Sequence, residues 1–133
     1  SPKKMLTPLK KGEVLGILAD QDIDSVEGIF VDFFGKKAYT PVAPAAFSVL
    51  TGAKIIPVFC IRKENGRYDF VFEEPINPSS FKGTKDEMYK GIMSRYNAVL
   101  ERYISKYPDQ WVWMHRRWKT RPADIAKKRK AAR

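Results

Sequence analysis

The sequence predicts an α/β domain in which helices flank a mixed sheet. Two apolar runs, at residues 14–19 and 54–61, have the length and composition of strands that are covered on both faces. Residues 68–73 alternate apolar and polar side chains, which is typical of a half-exposed antiparallel strand. Between residues 88 and 107, apolar side chains recur every three or four positions, as on one face of a long helix. Strands interleaved with helices indicate one domain of this class in 133 residues.

Local signals place the elements of the first half. Residues 1–11 are expected to form a loop or the end of a helix, and residues 29–34 a second strand that is closed by Gly35. The Thr40-Pro41 dipeptide predicts the start of a short helix that stops at Gly52, because proline suits the first helical position and glycine the position after the last. The expected apolar face of this helix consists of Ala43, Ala46, Phe47 and Leu50.

Similar signals place the elements of the second half. Pro57 removes a hydrogen-bond donor from the second apolar run, which indicates an edge or a bulge. The Asn65-Gly66 dipeptide predicts a hairpin turn. Thr84 and Glu87 have the spacing of a capping box at the start of the long helix, and Pro108 ends it. The predicted buried stripe of that helix is Met88, Ile92, Tyr96, Val99, Tyr103 and Tyr107.

The charge of the chain is uneven. The formal net charge is +10, yet residues 1–114 carry 16 basic and 14 acidic side chains, whereas residues 115–133 carry nine basic and one acidic. A basic end on a balanced body indicates a polyanionic partner, and nucleic acid, an anionic membrane and a phosphorylated lipid all fit. Residues 123–133 are expected to form a mobile basic tail.

Composition excludes several kinds of site. Cys60 is the only cysteine, so no internal disulfide forms, and its apolar neighbours predict a small buried side chain rather than a nucleophile. One cysteine and one histidine strongly disfavour a tetrahedral zinc site within the chain. The sequence contains no Ser-His-Asp pattern and no phosphate-binding glycine loop. We expect no cofactor and no metal.

Acidic residues follow the first predicted strand. Asp20, Gln21, Asp22 and Asp24 resemble the start of a calcium loop, but the required glycine and the final glutamate are missing. A solvated loop at the end of the strand is favoured. Because ligands bind at the carboxyl ends of strands in open α/β sheets, Asp20 and Gln21 are candidates for orienting a substrate.

Residues 33–37 combine two phenylalanines, a glycine and two lysines. One interpretation is a hairpin with one buried ring and two solvated lysines. The other is an apolar wall beside a phosphate contact, formed by Phe34, Gly35 and Lys36. The residues leave both interpretations open.

Residues 107–122 contain three tryptophans and the only histidine among several cations. Such a surface suits a ligand that is both apolar and anionic. His115 lacks a carboxylate at a helical offset, so a structural or ligand-contacting role is favoured over catalysis. Arg116, Arg117 and Lys119 are candidates for anionic contacts. Trp111, Trp113 and Trp118 could stack on bases, lie at a membrane interface or pack on the long helix.

Several stretches together resemble a known family in order and spacing: residues 16–22, 28–40, 44–45, 51–53, 56–58 and 111–122. They are similar to the C-terminal half of the late acyltransferases of lipid A biosynthesis, of the lauroyl/myristoyl type, in the lysophospholipid acyltransferase superfamily. The resemblance implies an incomplete fold of the glycerol-3-phosphate-acyltransferase type. Residues 1–122 would be the C-terminal part of the acyltransferase domain.

The resemblance also implies a reaction and partners. The family transfers a fatty acyl chain from acyl carrier protein, or sometimes coenzyme A, to a hydroxyl of an anionic glycolipid precursor at the cytoplasmic face of the bacterial inner membrane. By resemblance, Asp20 and Gln21 fall in the active-site block, and Phe34, Gly35 and Thr40 in the acceptor-binding block.

The family's catalytic motif is a histidine followed five positions later by an acid, and this sequence departs from it. Thr120 stands five positions after His115, and Ala43 stands where a glycine is common. We assign no catalytic residue here and expect the pair upstream of this chain, together with any membrane anchor, so that the chain by itself is inactive. The alternative is a nucleic-acid-binding or other non-catalytic anion-binding module, but the nearly neutral body disfavours nucleic acid.

Overall fold

A computed structural model describes residues 2–132, and Ser1 and Arg133 lie outside the described residues. Within this range the chain forms helices and strands in the order α1 Pro2–Lys10, β1 Gly28–Phe33, β2 Lys36–Pro41, α2 Ala43–Thr51, β3 Val58–Arg62, β4 Tyr68–Phe72, α3 Lys85–Lys106 and α4 Pro122–Ala131. Short 3-10 helices at Pro78–Ser80 and Pro108–Gln110 flank α3.

The strands form two separate antiparallel pairs. β1 pairs with β2, and β3 pairs with β4. The α/β class is therefore confirmed, but the single mixed sheet is wrong for the described residues. The α3 helix packs against β1 and α2 and supplies the centre of the apolar core, where Ile92 and Met93 are fully buried.

The predicted first strand, residues 14–19, is the largest correction. This run has no regular secondary structure, and Val14 and Leu18 expose 95% and 90% of their surfaces, whereas Ala19 is buried. No backbone hydrogen bond joins residues 14–19 to any strand in the described part of the chain. A strand needs a neighbouring strand for its backbone groups, and this run contacts the core on one side only.

The first hairpin supports one of the two interpretations of residues 33–37. Phe34 and Gly35 have φ angles of 49° and 72° and form the tight turn, a conformation that a glycine adopts without strain. Phe33 is buried, whereas Lys36 and Lys37 are exposed. The hairpin with one buried ring and two solvated lysines is therefore confirmed.

The short helix α2 begins later than the sequence predicts. Pro41 pairs with Gly28 in the hairpin, so the helix starts at Ala43, with Pro44 in its first turn. Gly52 ends it in a left-handed conformation, with φ 77°, as expected. The buried face is rotated from the predicted one, because Leu50 is 60% exposed. The buried residues are Ala45, Phe47 and Ser48.

The second hairpin is confirmed, but its first strand is shorter than predicted. β3 begins at Val58 because proline has no N–H to continue the ladder. The Pro57 carbonyl oxygen still accepts a bond from the Glu73 N–H, at 2.9 Å. The turn at Asn65-Gly66 is present, with Gly66 at φ 77°. The prediction that Cys60 is buried is wrong, because Cys60 lies on an exposed face of β3.

The capping box of α3 is confirmed. Thr84 Oγ1 accepts a bond from the Glu87 N–H at 3.2 Å, and Glu87 Oε2 accepts one from the Thr84 N–H at 2.7 Å. The helix ends at Lys106, two residues before Pro108. Its buried residues are Ile92, Met93, Asn97, Val99, Leu100 and Ile104. Of the predicted stripe, Ile92 and Val99 are therefore buried and Tyr96 packs half-buried against the core, whereas Met93, Leu100 and Ile104 were missed.

The basic run at residues 127–130 lies within α4. Lys128 Nζ donates to Asp24 Oδ2 at 3.0 Å, which ties this helix to the loop after residue 20. The mobility of the tail and the boundary at residue 122 stay predictions.

Gly28 begins β1 where no side chain fits. A Cβ at this position would lie 2.7 Å from the Thr40 carbonyl oxygen and 2.8 Å from the Tyr39 ring. We expect Gly28→Ala to lower the free energy of unfolding by about 1–3 kcal/mol, because the strand pair must shift to admit the methyl group. Urea unfolding followed by circular dichroism measures this change.

Gly16→Ala is the matched control, because a Cβ at Gly16 meets no atom within 4 Å. Both substitutions restrict the unfolded chain in the same way, and we expect the control to change stability by less than about 1 kcal/mol. Equal losses in the two variants would contradict the close approach at Gly28.

Candidate functional site

An open apolar cleft of about 980 Å³ lies in the described part of the chain. Its walls come from α2, α3, the β3–β4 hairpin and residues 14–20, and Trp111 and Val112 also line it. Lining side chains include Leu15, Ile17, Phe47, Ile56, Phe59, Phe70, Met93, Leu100 and Ile104. A cleft of this size and lining suits an elongated apolar ligand.

An aromatic pair braces one wall of the cleft. Phe59 and Tyr103 stack with ring centroids 3.8 Å apart. The Tyr103 hydroxyl donates to Glu73 Oε1, and Arg102 donates to the other carboxylate oxygen at 3.1 Å. The bond to Glu73 raises the pKa of Tyr103 to about 12 and lowers the pKa of Glu73. The contribution of Glu73 to stability is therefore lost in acid, and that of Tyr103 is lost as pH rises through about 12.

The mainly apolar cleft also has polar groups in its lining. Asp20 and Tyr96 both line it. Burial raises the pKa of Tyr96, the carboxylate of Asp20 adds to this shift, and the charge of Arg117 opposes it. The cleft thus combines an apolar surface with the Tyr96 phenol and the Asp20 carboxylate, whose charge acts on that phenol. Gln21, which the sequence paired with Asp20, is exposed and outside the lining.

Asp22 joins the C-terminal segment to the loop after residue 20, through hydrogen bonds with Thr120 and His115 that are termed here the clamp. Its buried carboxylate accepts from the Thr120 N–H at 2.8 Å and from the Thr120 hydroxyl at 2.6 Å. The Asp22 N–H donates to His115 Nε2 at 2.8 Å, so the neutral ring carries its proton on Nδ1. This geometry gives His115 a structural role. Sequence reasoning grouped Asp22 with its acidic neighbours and missed this function, because its partner lies 98 residues away.

Arg117 is buried rather than presented on the surface. Its guanidinium donates to the Tyr39 carbonyl oxygen at 2.7 Å and to Thr40 Oγ1 at 2.8 Å, and it lies 5.1 Å from the centre of the Phe33 ring. Burial lowers the pKa of Arg117, and the negative charge of Asp22 opposes this shift. The expected exposed contact with an anion is therefore replaced, in this structure, by contacts with the hairpin.

Asn97 extends the buried polar cluster from α3. Its Nδ2 donates to the Asp32 carbonyl oxygen at 3.1 Å and to Thr40 Oγ1 at 3.5 Å. Thr40, predicted as an acceptor-binding residue, is fully buried and joins Asn97 to Arg117. Asn97 was not among the residues of the predicted stripe, and no local signal marks it, because its partners lie 65 and 57 residues earlier.

The remaining predicted residues are exposed and lie in two places. Phe34, Gly35 and Lys36 form the tip of the first hairpin, where the Phe34 N–H donates to Glu101 at 2.7 Å. Arg116 and Lys119 line a small polar depression on the other side of the clamp, together with Asp24, Thr120, Asp124 and Lys128. Lys119 lies 3.8 Å from Asp24. No hydrogen bond or ion pair between described residues joins the hairpin tip to Arg116 or Lys119.

Residues 2–132 contain no cluster of three or more histidine, cysteine, aspartate or glutamate side chains that could hold a metal ion. Within the same range, no helix has the length and apolarity needed to cross a bilayer.

Comparisons with known proteins give one consistent family. Residues 2–120 match the model of the bacterial lipid A biosynthesis acyltransferases. The chain is 30% identical over 125 residues to a lipid A biosynthesis lauroyltransferase of Escherichia coli, covering 92% of this chain and 39% of that relative. It is 32% identical over 115 residues to the palmitoleoyltransferase of the same pathway in Escherichia coli, covering 86% and 36%.

A third relative is named for a different acceptor. It is a phosphatidylinositol mannoside acyltransferase of Mycolicibacterium smegmatis, 30% identical over 115 residues, with 86% of this chain and 34% of the relative covered. The chain thus spans between a third and two fifths of the length of these curated relatives.

Substitution of Asp22 tests the clamp. Asp22→Ala removes two hydrogen bonds to a charged acceptor, each worth about 1.5–3 kcal/mol, so we expect a loss of at least about 3 kcal/mol in the free energy of unfolding. Asp22→Asn should lose less, because the amide still accepts from the Thr120 N–H while the hydroxyl rotates to accept from the amide. Urea unfolding and hydrogen exchange at the Thr120 amide measure both effects.

Asp24→Ala is the control for the clamp. Asp24 is an exposed carboxylate whose ion pairs with Lys119 and Lys128 are screened by water. We expect a smaller loss of stability and unchanged exchange at Thr120. A ranking in which Asp24→Ala costs as much as Asp22→Ala would show that the clamp does not hold the segment.

Proposed function

This chain belongs to the bacterial lipid A biosynthesis acyltransferase family, and we propose that it forms the downstream part of an enzyme that transfers a fatty acyl chain to a hydroxyl of an anionic glycolipid. The observation that carries the proposal is the apolar cleft of about 980 Å³ in a chain of this family. The donor is acyl carrier protein or acyl coenzyme A, and the acceptor is a lipid A precursor or a similar glycolipid.

The acceptor class follows from the names of the relatives. Two of them act in lipid A biosynthesis, and the third acylates a phosphatidylinositol mannoside. The acceptors share sugar hydroxyls on an anionic lipid. Exposed cations near the clamp, Arg116 and Lys119, supply contacts for the anionic groups, and His115 and Arg117 hold the segment that carries these cations.

The acyl chain occupies the apolar cleft with its reacting end toward Asp20. The wall formed by Phe59, Ile56 and Met93 offers an apolar surface to methylene groups, each worth about 0.8 kcal/mol when buried. In this arrangement Asp20 and Gln21 lie near the reacting end. Phe34, Gly35, Lys36 and Thr40 belong to the acceptor side, with Thr40 supporting the hairpin from within.

The catalytic pair comes from polypeptide upstream of this chain. In this family a histidine acts as general base on the acceptor hydroxyl, and an acid five positions later orients it. His115 cannot take that role, because its Nε2 accepts from the Asp22 N–H and Thr120 stands at the position of the acid. The enzyme works at the cytoplasmic face of the bacterial inner membrane, held there peripherally or through an upstream anchor.

The gene itself provides the first test. We expect the reading frame upstream of residue 1 to encode a histidine with an aspartate or glutamate five positions later, and replacement of that histidine by alanine to abolish transfer. Mass spectrometry of the glycolipid product measures transfer. A frame that starts immediately before this chain would contradict the proposal.

The cleft provides a second test. Ile56 lines the cleft and is half exposed, so Ile56→Trp fills part of it without opening the core. Excluding two methylene groups costs about 1.6 kcal/mol, so we expect transfer from the longest accepted donor to fall by about tenfold. Transfer from a donor about four carbons shorter should change by less than about threefold, since its chain does not reach the filled part. Competition between the two donors in the full gene product measures the ratio.

Leu50→Trp is the matched control, because Leu50 is similarly exposed but lies outside the cleft lining. It should leave the preference for chain length unchanged. Equal effects of both variants on the two donors would show that the acyl chain binds elsewhere.

A further inference from the structure

We propose that the turn at residues 112–114, termed here the docking tip, inserts into an anionic lipid bilayer. Val112, Trp113 and Met114 expose 55%, 65% and 91% of their surfaces. Three consecutive large apolar side chains on the surface indicate an interaction site, because their transfer from water to an apolar partner would be favourable.

The backbone holds the docking tip in an ordered turn. The His115 N–H donates to the Val112 carbonyl oxygen at 3.1 Å, and the Trp113 N–H donates to the Trp111 carbonyl oxygen at 3.0 Å. The Trp113 indole N–H donates to the Pro108 carbonyl oxygen at 2.6 Å. These hydrogen bonds order the turn, so the exposed apolar side chains lie on a defined surface of the protein.

The charge next to the docking tip selects the kind of partner. No acidic residue lies between Asp109 and Asp124. Arg116 is exposed, its side chain has no hydrogen bond or ion pair with another described residue, and it follows Met114 by two positions, a reach of about 7 Å. An apolar projection with an exposed, unpaired cation two residues away matches a bilayer whose apolar region lies below a layer of anionic phosphates.

The docking tip continues the wall of the acyl cleft. Trp111 and Val112 line the cleft, and the next two residues face solvent. Docking at this point places the cleft beside lipid, so that an apolar chain need not cross water. This use of the docking tip rests on the proposed function, whereas the docking itself does not.

An acidic protein, such as an acyl carrier, would also meet the cations near Arg116. The docking tip fits it less well, because its one side-chain donor, the Trp113 indole N–H, is already bonded to Pro108, and three adjacent apolar side chains suit hydrocarbon better than a charged protein face. The bilayer is therefore the partner proposed here, and the carrier is one outcome of the test.

Vesicle partitioning of the full gene product tests the proposal. The probe is a vesicle of phosphatidylglycerol and phosphatidylcholine. We expect Trp113→Ser combined with Met114→Ser to lower the partition coefficient by about tenfold or more, since two apolar side chains no longer gain burial. Leu50→Ser is the matched control, because it also removes an exposed apolar side chain, and it should change partitioning by less than about twofold. Thermal unfolding of the variants verifies that each one is folded.

Fluorescence quenching tests the position of the docking tip directly. Brominated phosphatidylglycerol should quench tryptophan emission on binding, and Trp113→Phe should remove most of that quenching while it preserves docking. Trp111→Phe should retain the quenching, because Trp111 packs against Phe33 with ring centroids 6.4 Å apart. In the absence of vesicles, acrylamide should quench the emission of Trp113, because this side chain is exposed.

Four results would overturn the proposal. They are unchanged partitioning of the double variant, equal quenching with and without Trp113, protection of Trp113 from acrylamide without lipid, and a double variant that binds vesicles normally but loses affinity for an acidic acyl carrier. The third would show that another part of the protein covers the docking tip. Docking without any acyl transfer would refute the proposed function and leave the docking tip in place.

Discussion

The buried hydrogen bonds of Asp22 and Arg117 are the constraint on which the C-terminal segment depends. Residues 111–121 form turns rather than a helix or strand, so their placement cannot come from a backbone ladder. Asp22 binds the end of the segment through Thr120, and Arg117 binds the hairpin from within the segment. Burying a guanidinium costs several kcal/mol unless its donors are paired and a negative charge lies near. Both terminal nitrogens of Arg117 are paired and the charge of Asp22 acts on them, whereas Nε has no partner among the described residues.

This clamp fixes the positions of surfaces that have different chemistry. Trp111 lines the apolar cleft, the docking tip follows it in the chain, and the exposed Arg116 comes next. Adjacent cations thus differ in role, because Arg117 faces the interior and Arg116 faces solvent. The contacts of Arg117 with the hairpin and of Thr120 with Asp22 hold the segment in this orientation.

Sequence reasoning succeeded where the cause of the structure is local. The capping box of Thr84, the stop at Gly52 and the turn at Gly66 depend on neighbours within a few residues, and all three are present. The burial of Arg117 could not be read in this way, because its partners lie 77 and 78 residues earlier. Cys60 shows the same limit, since an apolar run does not reveal which of its faces the core covers.

The apolar run at residues 14–19 connects folding to the proposed chemistry. Its composition is that of a strand with two covered faces, yet the described residues cover only one, and Val14 and Leu18 remain in water. Across the cleft, Phe70 and Phe72 of β4 are also exposed. Covering these side chains with further polypeptide would be favourable, because it would remove apolar surface from water. If the polypeptide with the proposed catalytic pair covers this run, the same contact completes the core and brings the base to Asp20.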